Sequence, residues 1–400
     1  MSLRSLFRHS FLLFALGTSA IVLVLYIALV RDGDYKPSYE LRSKVGAAGL
    51  QKGFTVALVW PKEDIPSFFD GVRLAWEELN ASQSPIAGKI HLKRFVEKPG
   101  ESGTRLAEQV ARDHDVVAVL GHKTSASAVP ASLVYEEKGI LFLTPTATDP
   151  RLTTHGFRYV FRLTPDNREN AAALVRFAKR QGYKRIGVLY ARTEYGDSLA
   201  PFFVSAATDA GIQIAFYKSY LPTEQDFRPM IAGVREESFD AVMIADQVRR
   251  AGRLIRDLAR MGVRQPILGS DKMDSDLLWD VSGSASNNVY VASADDPSTV
   301  NARFEDFKRR FRKRFGAAPD YDATQGYSAL MLLADAVLAS GTADPLIVAT
   351  TLHCSRPWKG FFGNFSFDDE GDVLGREIFI KHMDNGSLNT VALLKENGRS

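Results

Sequence analysis

Two stretches, VVAVLGHKTSAS (116–127) and ILFLTPTAT (140–148), decide the fold of this 400-residue chain. Each is a run of aliphatic and β-branched residues that leads into a loop rich in Ser and Thr, and a helical pattern joins the two. Apolar runs of this kind are typical of strands buried on both faces of a parallel sheet. Since ligands of such sheets bind beyond the carboxyl ends of neighbouring strands, the two hydroxyl-rich loops predict a binding site at that edge.

The same alternation of short strands and helices extends through the chain and predicts an α/β protein. Further strands are expected over Thr55–Trp60, Ile186–Tyr190, Ala241–Ala245, Pro266–Gly269 and Val289–Ala292. Helices are expected over Phe69–Asn80, Asn170–Gln181 and Val248–Met261, and near 301–315 and 322–339. Because one open sheet would not naturally hold so many strands, we expect two doubly wound parallel-sheet lobes joined by hinge strands.

The lobes are expected to exchange chain segments. The first lobe would combine residues 53–164 and 294–360, and the second would combine 165–293 and 361–396. Hinge strands are expected near 162–166, 292–295 and 358–362. Closure of one lobe over the other about such hinges would enclose a small ligand.

The N-terminus carries an uncharged apolar run, SFLLFALGTSAIVLVLYIALV (10–30). As a helix it would span ~30 Å, the thickness of a bilayer core. Arg4 and Arg8 precede it, so residues 1–9 are expected to be a cytoplasmic tail, 10–30 a single-pass inner-membrane anchor and 31–52 a spacer to an extracytoplasmic body. The alternative is a cleaved signal peptide, which would leave a periplasmic protein.

Composition excludes several classes of function. Lys plus Arg exceed Asp plus Glu by three (50 against 47), which gives no reason to expect a nucleic-acid partner. Cys354 is the single cysteine, so neither an intramolecular disulfide nor a cysteine-based metal site can form, and we expect its thiol to be buried. The scattered histidines and the absence of glycine-rich phosphate motifs predict no metal and no cofactor.

The sequence of the loop GHKTSAS (121–127) allows two interpretations of its Ser and Thr side chains. Its hydroxyls and free N–H groups at a helix N-terminus would suit a carboxylate or phosphate. Alternatively, Thr124 or Ser125 is simply the N-cap that any such helix favours.

At these residues the chain resembles the type I periplasmic binding proteins, and most closely their branched-chain amino-acid-binding group. The likeness covers residues 54–390 and consists of short motifs in the family's order. The order of the motifs is more specific than any single one of them. The motifs are GHKTSASAVPAS (121–132), Glu137-Lys138-Gly139-Ile140, TPTATDPRLT (144–153), Tyr195-Gly196, Leu268-Gly269-Ser270-Asp271, Tyr321-Asp322-Ala323, Phe367-Asp368 and Gly371-Asp372.

The resemblance implies roles for individual residues. Ser125 and Thr148, with backbone N–H groups around Thr146 and Ala147, would hold a ligand carboxylate from the first lobe. From the second lobe, Asp271 would face the ligand's ammonium and Tyr195 would close over it. This division of donors and anion is what a zwitterion requires.

The chain departs from the group at two places. Asp246-Gln247 stands where the group often has a second-lobe aromatic, which makes Gln247 a candidate ligand contact, and Glu63-Asp64-Ile65-Pro66 precedes the first helix. These polar residues suggest a ligand more polar or more basic than leucine. They also leave open a relative whose cleft has drifted and whose lobes bind a protein of the cell envelope.

A basic helix is the other support for that alternative. Phenylalanines recur at helical spacing within a dense cluster of basic residues, over 304–315. Such a helix either buries its phenylalanines in a core and solvates its charges, or contacts anionic lipid or an acidic partner.

A minor alternative is a serine esterase, because Gly196-Asp197-Ser198-Leu199 spells a nucleophile motif. The general base that such a serine needs is not apparent, since no histidine has an Asp three residues before it. The leading expectation is therefore a non-enzymatic solute-binding protein that captures an amino acid or similar ligand, for a membrane transporter or a sensor protein.

Overall fold

The structure is a computed structural model that describes residues 38–61, 68–98, 100–295, 302–354 and 357–394. The expected tail at 1–9, the expected anchor at 10–30 and the run Glu63-Asp64-Ile65-Pro66 lie outside these residues. The chain divides into two compact units, Met1–Leu41 and Arg42–Ser400. The first contributes only residues 38–41 to the described part, and both lobes belong to the second.

The strands have these bounds: β1 Phe54–Pro61, β2 Ile90–Glu97, β3 Val116–Gly121, β4 Leu141–Thr144, β5 Val160–Arg162, β6 Arg185–Ala191, β7 Gln213–Tyr220, β8 Ala241–Ala245, β9 Ile267–Gly269, β10 Val289–Ser293, β11 Trp358–Gly360, β12 Gly363–Phe367, β13 Val373–Leu374, β14 Ile378–Asp384 and β15 Ser387–Leu394.

The α-helices have these bounds: α1 Ser38–Ala47, α2 Gly49–Lys52, α3 Phe68–Ala81, α4 Gly103–Ala111, α5 Ser125–Lys138, α6 Asn167–Arg180, α7 Glu194–Asp209, α8 Arg228–Ala232, α9 Val248–Arg260, α10 Leu277–Ser282, α11 Ala302–Phe315, α12 Tyr321–Ser340 and α13 Pro345–Cys354. Short 3-10 turns occupy Pro150–Leu152, Asp271–Met273 and Gly283–Asn288.

Two sheets form the centres of the two lobes. The first has the order β2-β1-β3-β4-β5, and all its neighbours are parallel. The second has the order β15-β14-β10-β9-β8-β6-β7. Its five parallel strands β6 to β10 repeat the first arrangement in the order β7-β6-β8-β9-β10, and β14 and β15 add an antiparallel edge. The expected α/β fold with two parallel-sheet lobes is confirmed.

Each sheet is covered on both faces, as the unbroken apolar runs predict. Along β1, Val56 and Leu58 pack into one core of the first lobe, whereas Ala57 and Val59 pack into the core on the opposite face. Helices α3 and α12 cross over the first of these faces with their backbones in contact. A Cβ added at Gly71 would meet the carbonyl oxygen of Ala323, so this crossing requires glycine.

The segment at 361–374 departs from the expected lobe boundaries. Strands β11 to β13 form a separate antiparallel sheet, and Phe361, Phe365 and Val373 pack into the first-lobe core. The N–H group of Arg162 also donates to the carbonyl of Gly371 at 2.9 Å. Assigning all of 361–396 to the second lobe was therefore wrong: the chain passes to the second sheet at 375–377, not at 358–362.

The expected spacer at 31–52 is also corrected where the structure describes it. Helices α1 and α2 occupy most of 38–52. The Arg42 side chain is fully buried, and it donates to the carbonyl oxygens of Val116 at 3.0 Å and Lys138 at 3.1 Å. The part of the spacer from Arg42 onward therefore belongs to the first lobe.

No single helix among the described residues is long and apolar enough to cross a membrane. Helices α12 and α13 pass that test of length and composition only as a pair, with a bend of 97° between them. Leu330 and Leu333 of α12 lie in the first-lobe core.

Cys354 is exposed at the end of α13, so the expectation of a buried thiol was wrong. The core-facing side of α13 carries Val348, Ala349 and Leu352. A residue two positions after Leu352 falls on the opposite side of the helix.

Candidate functional site

A cleft of about 730 Å³ lies between the two lobes. Its first-lobe wall is formed by the loops after β3 and β4, and its second-lobe wall by the loops after β6, β8 and β9. These are the carboxyl ends of the parallel strands, where the strand order reverses between β1 and β3 and between β6 and β8. The cleft therefore lies at the edge that the two hydroxyl-rich loops predicted.

Of the seven residues expected to bind ligand, five line this cleft: Ser125, Thr146, Tyr195, Gln247 and Asp271. Ala147 and Thr148 do not line it, because both are buried behind the wall that Thr146 presents. The Thr148 Oγ1 atom has no hydrogen-bond partner among the described residues. Thr148 thus contributes to the wall through its backbone.

Ser125 opens helix α5 and ties the two hydroxyl-rich loops together. Its Oγ accepts hydrogen bonds from the backbone N–H groups of Thr148 at 3.2 Å and Asp149 at 3.1 Å. The hydroxyl hydrogen of Ser125 therefore remains available as a donor. The N-cap residue is Thr124, whose side chain makes no capping hydrogen bond, so simple capping does not account for this loop.

Thr146 presents its backbone carbonyl to the cleft. Its own hydroxyl donates to the carbonyl of Lys123 at 2.7 Å, which fixes the β4 loop against the β3 loop. The carbonyl oxygen of Thr146 accepts a hydrogen bond from Lys272 Nζ at 3.1 Å. This bond spans the cleft, since Lys272 belongs to the second lobe.

On the opposite wall, Tyr195 and Asp271 form a hydrogen-bonded pair. Tyr195 lies in the first turn of α7 and donates its phenolic hydrogen to Asp271 Oδ1. Burial raises the pKa of Tyr195 well above its usual value, and the neighbouring Asp271 carboxylate raises it further. The phenol therefore stays protonated and remains a donor.

Gln247 lines the cleft, whereas its neighbour Asp246 is turned away from it. Asp246 is completely buried. Its carboxylate accepts from the Tyr220 hydroxyl at 2.8 Å and from Arg250 Nε at 2.6 Å. Asp246 therefore adds no carboxylate to the cleft and instead anchors helix α9 to β7, so of these two residues only Gln247 makes the cleft more polar.

Several charged residues in the cleft were not singled out from the sequence. Lys123 pairs with Asp322 at 2.7 Å, and Lys381 pairs with Asp274 at 2.8 Å. Lys272 lies 3.2 Å from Asp271 Oδ2. Its position directly after Asp271 was the only signal in the sequence.

An ion pair between Arg151 and Glu194 also joins the lobes, with an N–O distance of 3.0 Å. Burial raises the pKa of Glu194, and the facing Arg151 guanidinium opposes that rise. Arg151 is 61% exposed and also pairs with Asp149. Exposed pairs of this kind contribute little free energy, so this pair orients the two lobes more than it stabilises the fold.

The esterase motif lacks its base in the described part of the chain. Ser198 lies in α7, and its Oγ accepts a hydrogen bond from Asn167 Nδ2 at 2.9 Å. An amide cannot take the proton of a nucleophilic serine. Across the described ranges, no cluster of three or more His, Cys, Asp or Glu side chains could hold a metal ion.

The basic helix is α11, and its phenylalanines belong to the first-lobe core. Phe304, Phe307 and Phe311 are buried there. Much of its positive charge is paired, as in the contact of Arg314 with Glu77 at 2.8 Å. Further pairs join Lys308 with Glu305, Arg309 with Asp306, and Arg310 with Asp306 and Glu78. The feature that suggested an acidic partner is thus an ordinary amphipathic helix with paired charges.

Comparisons with known proteins show which family shares this architecture. A family model described as "Periplasmic binding protein" matches residues 64–387. A relative from Brucella abortus, named Leu/Ile/Val-binding protein homolog 1, is 30% identical over 273 residues, which cover 68% of this chain and 73% of the relative. A relative from Brucella melitensis, named Leu/Ile/Val-binding protein homolog 3, is 26% identical over 321 residues, which cover 80% of this chain and 86% of the relative.

A solved structure shares the fold along its whole length. An ABC transporter substrate-binding protein from Desulfitobacterium hafniense, in complex with Leu, superposes with a TM-score of 0.74 at 27% identity. The match covers 85% of this chain and 100% of that protein. The relatives are named as binding proteins, which supports the expectation of a non-enzyme. By its matched length and its two-lobed architecture, this chain belongs to the periplasmic binding protein family.

Proposed function

We propose that the cleft reversibly captures a small carboxylate-bearing ligand, an amino acid or a close relative of one. The observation that carries the proposal is the placement of Ser125 and the N-terminus of α5 on one wall, opposite the Tyr195–Asp271 pair on the other. Helix N-termini attract anions, so the first-lobe wall suits the ligand's carboxylate.

Capture would proceed by closure of the second lobe over a ligand held by the first. Each charge-assisted hydrogen bond to the carboxylate would contribute ~1.5–3 kcal/mol. The segments that connect the lobes, at 163–166 and 375–377, are short and lie between regular elements, as hinges do. The Leu complex of the Desulfitobacterium hafniense protein and the names of the Brucella relatives support a ligand of aliphatic amino-acid size.

We further propose that residues 10–30 tether the body to the inner membrane, with the two lobes outside the cytoplasm. The support is the apolar length of this run and the basic residues Arg4 and Arg8 before it. A tethered binding protein would deliver its ligand to a membrane transporter nearby, or report it to a sensor. Cleavage of the same segment would instead release a periplasmic protein.

Thermal unfolding of the full-length chain, with a panel of amino acids and small carboxylic acids, tests the capture proposal. A ligand present at ~1,000 times its dissociation constant stabilises the folded state by ~4 kcal/mol, which shifts the midpoint by several degrees. We expect at least one acid to give such a shift. We also expect Ser125→Ala to reduce the shift at the same ligand concentration, by about a third for a tenfold loss of affinity. Ser205→Ala, which changes an exposed serine outside the cleft, should preserve it.

Two results would contradict the proposal. One is a flat response to the whole panel. The other is a shift that survives Ser125→Ala unchanged, which would place the ligand elsewhere.

A further inference from the structure

Lys272 places an ammonium group inside the cleft. It is the middle residue of the 3-10 turn that follows β9. Its Nζ atom lies 3.1 Å from the Thr146 carbonyl oxygen, 3.2 Å from Asp271 Oδ2 and 5.8 Å from the centre of the Tyr195 ring. The Lys272 side chain is 22% exposed.

These three partners are the ones that a ligand's ammonium would need. A backbone carbonyl accepts its hydrogen bonds, a carboxylate neutralises its charge, and an aromatic face attracts cations. The second Asp271 oxygen is also engaged, because Oδ1 accepts the phenolic hydrogen of Tyr195. The ammonium position on the second-lobe wall is therefore filled by the chain itself.

We infer that Lys272 is a tethered counter-ion that occupies the ammonium subsite, and that the preferred ligand is a small organic acid without an α-ammonium group. This inference rests on the proposed function and narrows its ligand class. A 2-oxo acid or a 2-hydroxy acid with an aliphatic side chain has the required chemistry.

Tethering favours Lys272 over a free ammonium. A group held on a short flexible linker competes at an effective concentration on the order of millimolar or higher, whatever the ligand concentration in solution. The ammonium of an amino acid would have to displace Lys272 from Asp271, and Lys272 would then lose its carboxylate partner. An acid without the amine has no such requirement.

With Lys272 in place, the groups between the walls suit an anion. The Ser125 hydroxyl and the N-terminus of α5 face the cleft from one side, and the Lys272 ammonium reaches across from the other. The nearby Asp322 and Asp274 carboxylates already pair with Lys123 and Lys381. A carboxylate placed between Ser125 and Lys272 would thus meet donors on both sides.

Isothermal titration of the full-length chain with acids of matched carbon skeleton tests the inference. L-leucine is compared with 4-methyl-2-oxopentanoate, and L-valine with 3-methyl-2-oxobutanoate. The wild-type chain is expected to bind the oxo acid of at least one pair about tenfold or more tightly than the amino acid. In Lys272→Met the order should reverse, because the ammonium subsite is vacated next to Asp271.

The matched control is Lys218→Met, which removes a lysine exposed on the second lobe outside the cleft and should keep the wild-type order. Tighter binding of both amino acids by the wild-type chain, with the same ratio in Lys272→Met, would overturn the inference and leave the proposed function standing. Absence of binding by all four acids, in every variant, would also overturn the inference, and only a flat response to the whole acid panel would overturn the proposed function.

Discussion

Tyr195 donates its phenolic hydrogen to Asp271, and the bond joins two residues 76 positions apart in the chain. Tyr195 follows β6 and Asp271 follows β9, and β8 lies between these strands in the sheet. The pair therefore bridges the second-lobe wall across an intervening strand. It holds the Asp271 carboxylate in the orientation that also receives Lys272.

The first prediction concerns this pair. Tyr195→Phe keeps the ring but removes the donor to Asp271, so the carboxylate and the lysine beside it lose their fixed position. A hydrogen bond to a charged acceptor contributes ~1.5–3 kcal/mol, so ligand affinity should fall by about tenfold or more. Titration calorimetry measures the loss. Tyr217→Phe, on the exposed face of β7, is the control, and equal affinities for the two variants would contradict the assigned role.

The second prediction concerns the Arg151–Glu194 ion pair between the lobes. Glu194→Gln removes one charge of a pair whose arginine is 61% exposed, so affinity should fall by less than about fivefold. The difference in affinity between Glu194→Gln and wild type should be measurable at about 0.01 M salt and vanish near 1 M. The reason is that the Debye length, over which charges interact, shortens from ~30 Å to ~3 Å. A loss that is large or indifferent to salt would show that Glu194 contacts the ligand instead.

The third prediction concerns Asp295, which lies at the end of β10 where the chain leaves the second lobe. Burial raises the pKa of this carboxyl to about 6, although Arg376 and Lys381 oppose the rise. Gln325 Nε2 donates to its Oδ2 at 3.3 Å, whereas Oδ1 has no hydrogen-bond partner among the described residues. The folded protein therefore holds the proton of Asp295 more tightly than the unfolded chain does.

The sign of the pH dependence follows from that difference. Stability contributed by protonated Asp295 is complete below the unfolded pKa of about 4 and is lost as the pH rises through about 6, by at most about 3 kcal/mol. Asp295→Asn has no titrating proton at this position, so its stability relative to wild type should rise between about pH 4 and pH 7. Urea unfolding across this range measures the difference, and a constant difference would contradict the burial argument.

The fourth prediction concerns Arg42. Besides Val116 and Lys138, its guanidinium donates to the carbonyl oxygens of Ala111 and Asp113. Arg42→Met removes the donor to these carbonyls, of which that of Asp113 also accepts from the Val116 N–H group. Each acceptor left unpaired costs about 1–3 kcal/mol where water does not reach it. We expect a loss of at least about 3 kcal/mol in the free energy of unfolding. Arg260→Met, at a 69% exposed side chain, is the matched control and should change stability by less than about 0.5 kcal/mol. Equal losses of stability in Arg42→Met and Arg260→Met would contradict this role of Arg42.

The sequence predicted the buried parts of the fold better than its edges. Strand β8 has the expected bounds, because Ala241–Ala245 is apolar throughout and buried on both faces. Strands β2 and β7 were not predicted. They lie at sheet edges and expose residues such as Lys93 and Lys218, so they lack a continuous apolar run. The sequence also did not show that the strands within 361–374 pack on the first-lobe core.

The candidate site was predictable where backbone position decides it. Loops after parallel strands meet at one sheet edge, and this rule placed the loops of Ser125 and Thr146 at a single cleft. Tyr195 and Asp271, which line the same cleft, were implied by the family resemblance. It could not show that Thr148 points into the wall, nor that Asp246 is turned toward Arg250. The position of the Lys272 ammonium depends on the side-chain path across the cleft, which sequence spacing does not determine.

The most direct test of the central claim, that the inter-lobe cleft holds a small acid through its first-lobe wall, is titration calorimetry with the acid that stabilises the chain most. The measurement compares wild type, Ser125→Ala and Ser205→Ala. The account predicts one ligand per chain, an affinity reduced about tenfold or more in Ser125→Ala, and an unchanged affinity in Ser205→Ala. Equal affinities in all three would contradict it, because the ligand would then bind without the hydroxyl that the cleft presents.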